Sequence, residues 1–493
     1  MKKYLLEIIV FVCGAVVMIL ELAGSRVLAP YLGTSLIVWS SLIGLILGAL
    51  SFGYWWGGKV ADINPNWKTF SGIIFLAAVL IGITAILKEP ILLLFDEIIN
   101  NIKINSVLST TILFVPASIM LGMISPYAVR LKINDVQNSG KTVGNLYAIS
   151  TLGSIFGTFL AGFYLLATVG ATMILYILAI TLIFISIISF FKSDLKIKAA
   201  TIIILICFGS FTTAMNILAA QNGTIDTDSS YQHIKIFDGV DASSGRTARY
   251  LKTENVGTQS GMFLDSDDLV FGYTKFYDLY RYLKPDAKNA LMIGGAAYTY
   301  PRYFLRNTTG TTMTVVEIDP KITELAKKYF GLTDDPRMKI VHEDGRVFLN
   351  GNTEKFDIIF GDAFKSLTPP YQLATREAVE KIYENLNDDG VALINIISAI
   401  NGDKGKFLRA EYATYQSVFP EVQIFPVREP NNGEIVQNIM LVALKNKRAT
   451  WNGGDAQMQI LLDNRWTKSI DNDLPILTDD FAPVDQYMLK QVF

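Results

Sequence analysis

Cysteine and histidine are both scarce in this chain of 493 residues, which has two of each. Cys13 and Cys207 lie inside apolar runs, so a disulfide framework and a thiolate zinc site are excluded. His233 and His342 stand far apart without a carboxylate cluster beside them, and no bound metal is expected. Surplus charge is missing too. Lys and Arg total 43 against 45 Asp and Glu, a net charge of −2. No basic excess points to nucleic acid. A cleavable leader is also not evident. Lys2 and Lys3 precede an apolar run that is long and has no clear small-residue cleavage site. It reads as a retained first span.

What the chain has in quantity is apolar residue, at 51%, and it is unevenly spread. Runs long enough to cross a bilayer fall at about 5–28, 36–57, 70–88, 107–127, 143–165, 169–191 and 199–219. They predict a multi-pass α-helical domain of about seven helices over residues 1–220, with the lipid bilayer as its solvent. Gly44 and Gly48, Gly53 and Gly57, and Gly153 and Gly157 recur at four-residue spacing, which suits close helix packing. Ile91–Ile99 is apolar but short and carries Asp96 and Glu97, so it reads as an interfacial helix. Glu21 and Arg26 are charges inside a span. They predict a structural ion pair near a helix end, or a polar site in the bundle.

Lys2, Lys3, Lys59, Lys68, Arg130, Lys132, Lys141, Lys192, Lys196 and Lys198 fall on one side of alternating spans, the cytoplasmic side by the positive-inside rule. Seven spans then carry the chain out of the cytoplasm at residue 220. A domain that uses a cytosolic nucleoside belongs inside, so count and chemistry pull apart.

The remainder reads as a soluble protein. Asn222–Ser230 is a short polar linker. Residues 221–288 make a small β-rich unit, with strands in SYQHIKIFD and RTARYLKT and an aromatic helix, GYTKFYDLYRYLKP. Tyr273, Tyr277 and Tyr280 on that helix read as core, with Tyr273 at a pocket edge. Residues 289–493 alternate strand and helix: NALMI, a turn at Gly294-Gly295, a helix, then TMTVVEID. Next come Met338–His342, the turn Glu343-Asp344-Gly345-Arg346, FDIIFGDAF, the helix LATREAVEKIYENLNDDG stopped by glycine, and VALINIIS. That order predicts a mainly parallel, Rossmann-like sheet with its ligand beyond the carboxyl ends of the strands. Gly294, Glu317, Asp344 and Asp362 each sit at such an end. A small-residue turn admits a ligand to the backbone, and a carboxylate accepts from two ribose hydroxyls.

The pieces SYQHIKIFD, IGGAAYTYPR, VEIDP, EDGRVFL and FDIIFGDAF, in that order, resemble the spermidine synthase (polyamine aminopropyltransferase) family, a branch of the S-adenosylmethionine-dependent methyltransferase fold. With ELAGSRVLAPYLG, MISPYAVRL, NLYAISTLGSIFGTFLAGF and LTDDFAPVD, the whole chain looks like membrane-fused spermidine synthase-like proteins of bacteria. FGYWWGGKVAD is similar to a cytoplasmic loop of major-facilitator transporters. The resemblance implies a small-molecule substrate, S-adenosylmethionine or its decarboxylated form, with methylthioadenosine released. It implies that Gln232 and Gln259 contact the nucleoside or its side chain and that Gly294 and Gly295 form the turn beneath it. Glu317 would hold the ribose, Asp344 would accept from the adenine amino group, and Asp362 would be the base for the attacking amine. A homo-oligomer is compatible with all of this.

Two departures bear on the reaction. The family's turn reads GGGDGG, and Ala297 stands at its aspartate. The family's DSSDP appears as DAFK, so Lys365 replaces a second acid. Two carboxylates that would grip a polyamine are gone, and a cation has entered. Lys365, or Arg302 just past the turn, suits the carboxylate of intact S-adenosylmethionine. Three functions follow. The first is aminopropyl transfer to an amine. The second is a lyase that makes methylthioadenosine and homoserine lactone from intact S-adenosylmethionine. The third is a transporter with a nucleoside-sensing domain.

Overall fold

The structure, a computed structural model, describes residues 4–133, 139–190, 195–221, 223–253, 257–363, 370–448 and 450–492. The chain divides into two compact units, Met1–Ile234 and Lys235–Phe493.

The first unit is helical: α1 (Leu5–Leu32), α2 (Leu36–Ile63), α3 (Trp67–Ile98), α4 (Ile102–Leu113), α5 (Val115–Lys132), α6 (Ser139–Leu160), α7 (Ala171–Ser189) and α8 (Leu195–Gln221). Among the described residues five helices are long and apolar enough to cross a membrane: α1, α2, α3, α6 with its extension to Leu165, and α7. The pair α4 and α5, bent by 52°, makes a sixth if taken as one span. The expected count of about seven is therefore reduced to five or six by length and composition. α8 covers the seventh expected segment as a helix of 27 residues.

One local expectation changes. Ile91–Ile99 is not a separate interfacial helix, because α3 continues through Pro90 to Ile98. At 32 residues and ~1.5 Å per residue, α3 outruns a hydrocarbon core of about 30 Å. Asp96 and Glu97 fall on its last turn. Arg26, toward the end of α1, donates to the carbonyl of Ser230.

Glycine spacing is used for packing at two of the three pairs. A Cβ at Gly153 would collide with the Phe11 carbonyl, and one at Gly157 would lie 2.5 Å from the Ala15 oxygen. α1 and α6 thus touch backbone to backbone. Gly53 and Gly57 hold α2 against Ile119 and Met123 of α5 in the same way. Gly44 and Gly48 face open space.

Polar contacts fix the two ends of this unit. At one end Arg130 pairs with Asp62 at 3.1 Å, Lys132 pairs with Glu7, and the buried Lys198 ammonium donates to Ser71 at 2.8 Å. At the other end the strand β1 (Ile225–Asp228), formed within the expected linker, brings Asp228 to the Ala171 amide at 3.2 Å. His233 lies between Asp228 at 2.8 Å and Asp226 at 3.2 Å. Burial works against its charge, but the two carboxylates prevail and raise its pKa to about 9. α8 connects these ends. Lys198 sits beside Ser71 and Ser186, and farther along Leu205 meets Gly82 of α3 and Gly209 meets Tyr176 of α7.

In the second unit β2 (His233–Val240), β3 (Thr247–Lys252) and β4 (Ser260–Phe263) pair antiparallel from Lys235 onward. The aromatic segment is helical over Gly272–Phe276 and Tyr280–Leu283, with a tighter turn at Tyr277–Leu279. A seven-stranded sheet follows: β5 (Asn289–Ile293), β6 (Thr312–Val316), β7 (Met338–Val341), β8 (Phe356–Gly361), β9 (Leu386–Ser398), β10 (Glu421–Pro426) and β11 (Gln437–Leu444). Its order is β10-β11-β9-β8-β5-β6-β7. The strands from β7 to β9 are parallel, and β11 and β10 close the far edge antiparallel.

The predicted mainly parallel sheet holds from β7 to β9. The helix expected to stop at Gly390 ends at Asn385 instead. Leu386 already pairs with Phe356, so LNDDG belongs to β9, with a register irregularity at Phe356/Ile358.

Candidate active site

The site grows from the carboxyl ends of four adjacent parallel strands. β5 ends in Ile293 and the chain turns at Gly294 with φ 95°. A Cβ there would lie 2.6 Å from the Asp362 carbonyl oxygen. The turn after β5 and the end of β8 are therefore in backbone contact, joined also by Asp362 N–H donating to the Ile293 carbonyl at 2.9 Å. Only glycine fits the conformation and the approach together.

Beyond Gly294 the turn is strained. Among the described residues Ala296 (φ 44°) and Tyr298 (φ 57°) are the non-glycine positions with positive φ. Such conformations cost about 1–3 kcal/mol each and persist where surroundings over-determine them. Here they do. Tyr298 N–H donates to the Gly295 carbonyl at 2.8 Å, and its buried ring lies under Gly295, where a Cβ would be 2.8 Å from the ring. Its hydroxyl bonds Thr323 at 2.7 Å, and Thr323 bonds His342 Nε2 at 2.9 Å.

Glu317, just past β6, is buried behind this turn. Its Oε2 accepts from the Gly295 and Ala296 amides at 2.9 and 3.0 Å, and its Oε1 from the Asp319 amide at 3.0 Å. Burial raises its pKa, against those three amides, which lower it. A carboxylate offers about four acceptor positions, so a ribose diol binding here must share Glu317 with the turn. Asp344, past β7, caps the helix Gly345–Gly351: its Oδ1 accepts from Arg346 N at 2.8 Å and Val347 N at 3.2 Å. Its Oδ2 accepts from Gln372 at 3.4 Å.

Asp362, past β8, is enclosed. Tyr273 hydroxyl donates to Oδ2 at 3.0 Å, and Asn395 Nδ2 donates to Oδ1 at 3.0 Å. Tyr277 hydroxyl donates to the neighbouring Gly361 carbonyl at 3.1 Å. Burial pushes the carboxyl up to about 6, against the lowering effect of Asn395, Tyr273 and Tyr277. Among the described residues no Lys or Arg pairs with it. A carboxyl of this kind ionises near neutral pH and accepts a proton readily, which suits a general base.

Gly294, Gly295, Glu317 and Asp362 are thus brought together, and Tyr273 bonds Asp362. Asp344 ends the adjacent strand. Ala297 is fully buried. Arg302 donates to the Phe330 carbonyl and pairs with Asp267 at 3.2 Å. Gln259 accepts from Thr253 N at 2.8 Å and closes its own hairpin. Gln232 belongs to the first compact unit. Lys365 lies outside the described residues. Sequence reasoning missed Asn395 and Tyr298. The signal for Asn395 is its place as the one amide in the apolar run VALINIIS. The signal for Tyr298 is a tyrosine where the family has glycine.

The sheet order and the acid-bearing strand ends define the class: an α/β domain of the methyltransferase-like kind with an acidic site. Residues 277–447 match the family model described as Spermine/spermidine synthase domain. The chain is 31% identical over 224 residues to a probable polyamine aminopropyl transferase from Bifidobacterium longum, covering 41% of this chain and 49% of that one. It is 25% identical over 304 residues to a polyamine aminopropyltransferase from Vibrio vulnificus, covering 57% and 97%. The chain thus spans about half the length of the first relative and nearly all of the second. A crystal structure of a probable spermidine synthase from Corynebacterium glutamicum is similar at TM-score 0.41 and 21% identity, over 47% of this chain and 83% of that one.

Proposed function

We propose that the second unit transfers an aminopropyl group from decarboxylated S-adenosylmethionine to an amine. The observation that carries this reading is the half-buried Asp362 carboxylate, held by two neutral donors. A low-dielectric anion of this kind attracts a cationic amine and takes its proton. The amine nitrogen then attacks the propyl carbon bound to sulfur. The C–S bond breaks, its electron pair stays on sulfur, and neutral methylthioadenosine leaves. The strained turn and Glu317 suit the nucleoside half, with Gly294 allowing close backbone approach.

A second reading has one observation in its favour. Ala297 is buried where the family carries an acid for the aminopropyl ammonium group. An enzyme on intact S-adenosylmethionine has less need of that acid, and a lyase product would be homoserine lactone. Mass spectrometry of parallel incubations separates the two. The expected result is an aminopropylated diamine from the decarboxylated substrate. Lactone from the intact substrate, with no aminopropylated amine, would replace the first reading by the second.

The side of the membrane follows from span parity. The end bearing Lys59, Arg130, Lys132 and Lys198 is cytoplasmic by the positive-inside rule. Six spans return the chain to that end, and a crossing by α8 would carry it over again. We propose that α8 packs along α3 and α7 without a full crossing, because it is not among the described helices long and apolar enough to span and the substrate of the transfer reading is cytosolic. Protease applied to intact spheroplasts is then expected to spare 240–490, with cutting in inverted vesicles. Cutting in intact spheroplasts would put the domain outside and make α8 a seventh span.

A further inference from the structure

We infer that Asn395 and Asn438 form an amide chain that aims the Asp362 carboxylate, which makes both of them positioning residues for the reaction. The kinetic consequence rests on the amine-transfer reading above; the geometry does not.

Asn395 lies in β9, a strand buried on both faces, and is 4% exposed. An amide in such a place is costly unless bonded. Both of its polar atoms are used. Nδ2 donates to Asp362 Oδ1 at 3.0 Å, and Oδ1 accepts from Asn438 Nδ2 at 3.0 Å. Sheet register makes the row. Gly361 pairs with Ile394 in parallel, so Asp362 and Asn395 are the next step on neighbouring strands. Met440 pairs with Asn395 and Asn438 with Ile397, which sets Asn438 one diagonal step away. The chain of side chains therefore crosses β8, β9 and β11 in a line.

Tyr273 takes the other oxygen of Asp362. Among the described residues two donors, one on each oxygen, fix the plane of the carboxylate, and each oxygen has a second acceptor position that can receive an amine proton. Asn438 in turn fixes which way the Asn395 amide points, so that NH2 rather than C=O faces the acid. Reversal would set an oxygen against an oxygen. A donor on the ionised carboxylate favours that form, so removing it must make Asp362 harder to ionise.

The test uses the full chain purified in detergent. Asn395→Leu removes the donor, Asn438→Leu removes only its support, and Asn395→Asp keeps the size but sets acid beside acid. The acid limb of the kcat/KM profile is expected to move up by about one pH unit in Asn395→Leu. A smaller shift in the same direction is expected in Asn438→Leu, and a larger one in Asn395→Asp. In parallel, the carboxyl infrared band of Asp362, assigned by its loss in Asp362→Asn, is titrated without any acceptor present. Its midpoint is expected to rise in all three variants. An unmoved midpoint in folded Asn395→Asp and Asn438→Leu overturns the inference even if Asn395→Leu does not fold. A moved midpoint in a wild-type background that transfers no aminopropyl group would sink the transfer reading and leave the amide chain standing.

Discussion

Asp362→Asn is expected to slow methylthioadenosine release by about 10²–10⁴-fold with the chain still folded. The two side chains have the same shape, so the enclosure by Tyr273 and Asn395 survives. What is lost is the negative charge and the ability to take a proton. One of the two donors must also face the new NH2 group, at a cost near 1 kcal/mol, small beside a chemical step. Glu317 and the turn are untouched, so nucleoside affinity is expected to stay within a few-fold of wild type. The loss therefore falls on kcat. Single-turnover rates and a nucleoside titration on the same preparation check both halves. A rate near wild type would remove Asp362 from the reaction.

Gly294→Ala is the second large effect. The methyl group would enter within 2.6 Å of the Asp362 carbonyl oxygen and 2.8 Å of its carbonyl carbon. These are backbone atoms that cannot rotate aside. The φ of 95° adds conformational cost for any residue with a Cβ. A loss of about 1–3 kcal/mol in stability is expected from overpacking. Activity is expected to fall further than stability alone explains, since relief requires moving the end of β8 that carries Asp362. Thermal unfolding and turnover of the folded fraction measure the two separately. Full turnover in the folded fraction would mean that the turn and Asp362 are not mechanically coupled.

The parts of the site legible in the sequence are those set by local pattern. Apolar runs with a small or acidic residue at the far end mark Gly294, Glu317 and Asp362, because strand ends in an alternating β/α order all face one edge. The rest depends on partners distant in sequence. Arg302 sits just past the turn, and its bonds go to Asp267 and the Phe330 carbonyl, 35 and 28 residues away. Tyr273 reaches Asp362 across 89 residues, and Asn438 reaches Asn395 only because β11 inserts beside β9. Nothing local announces either contact.

The helical unit shows the same limit. Apolar length locates its helices. The continuation of α3 through Pro90 and the 52° bend between α4 and α5 are decided by packing, and the span count hangs on the bend.

The central claim is that a half-buried carboxylate at the end of β8 takes the proton of an amine as it receives an aminopropyl group. The most direct measurement counts two products in one sample. Purified full-length chain is given decarboxylated S-adenosylmethionine and a diamine, with Asp362→Asn run alongside. The account predicts methylthioadenosine and aminopropylated amine in equal amounts from the wild type, with both reduced together in the variant. Methylthioadenosine formed without an aminopropylated partner, or at the same rate in both proteins, would contradict it.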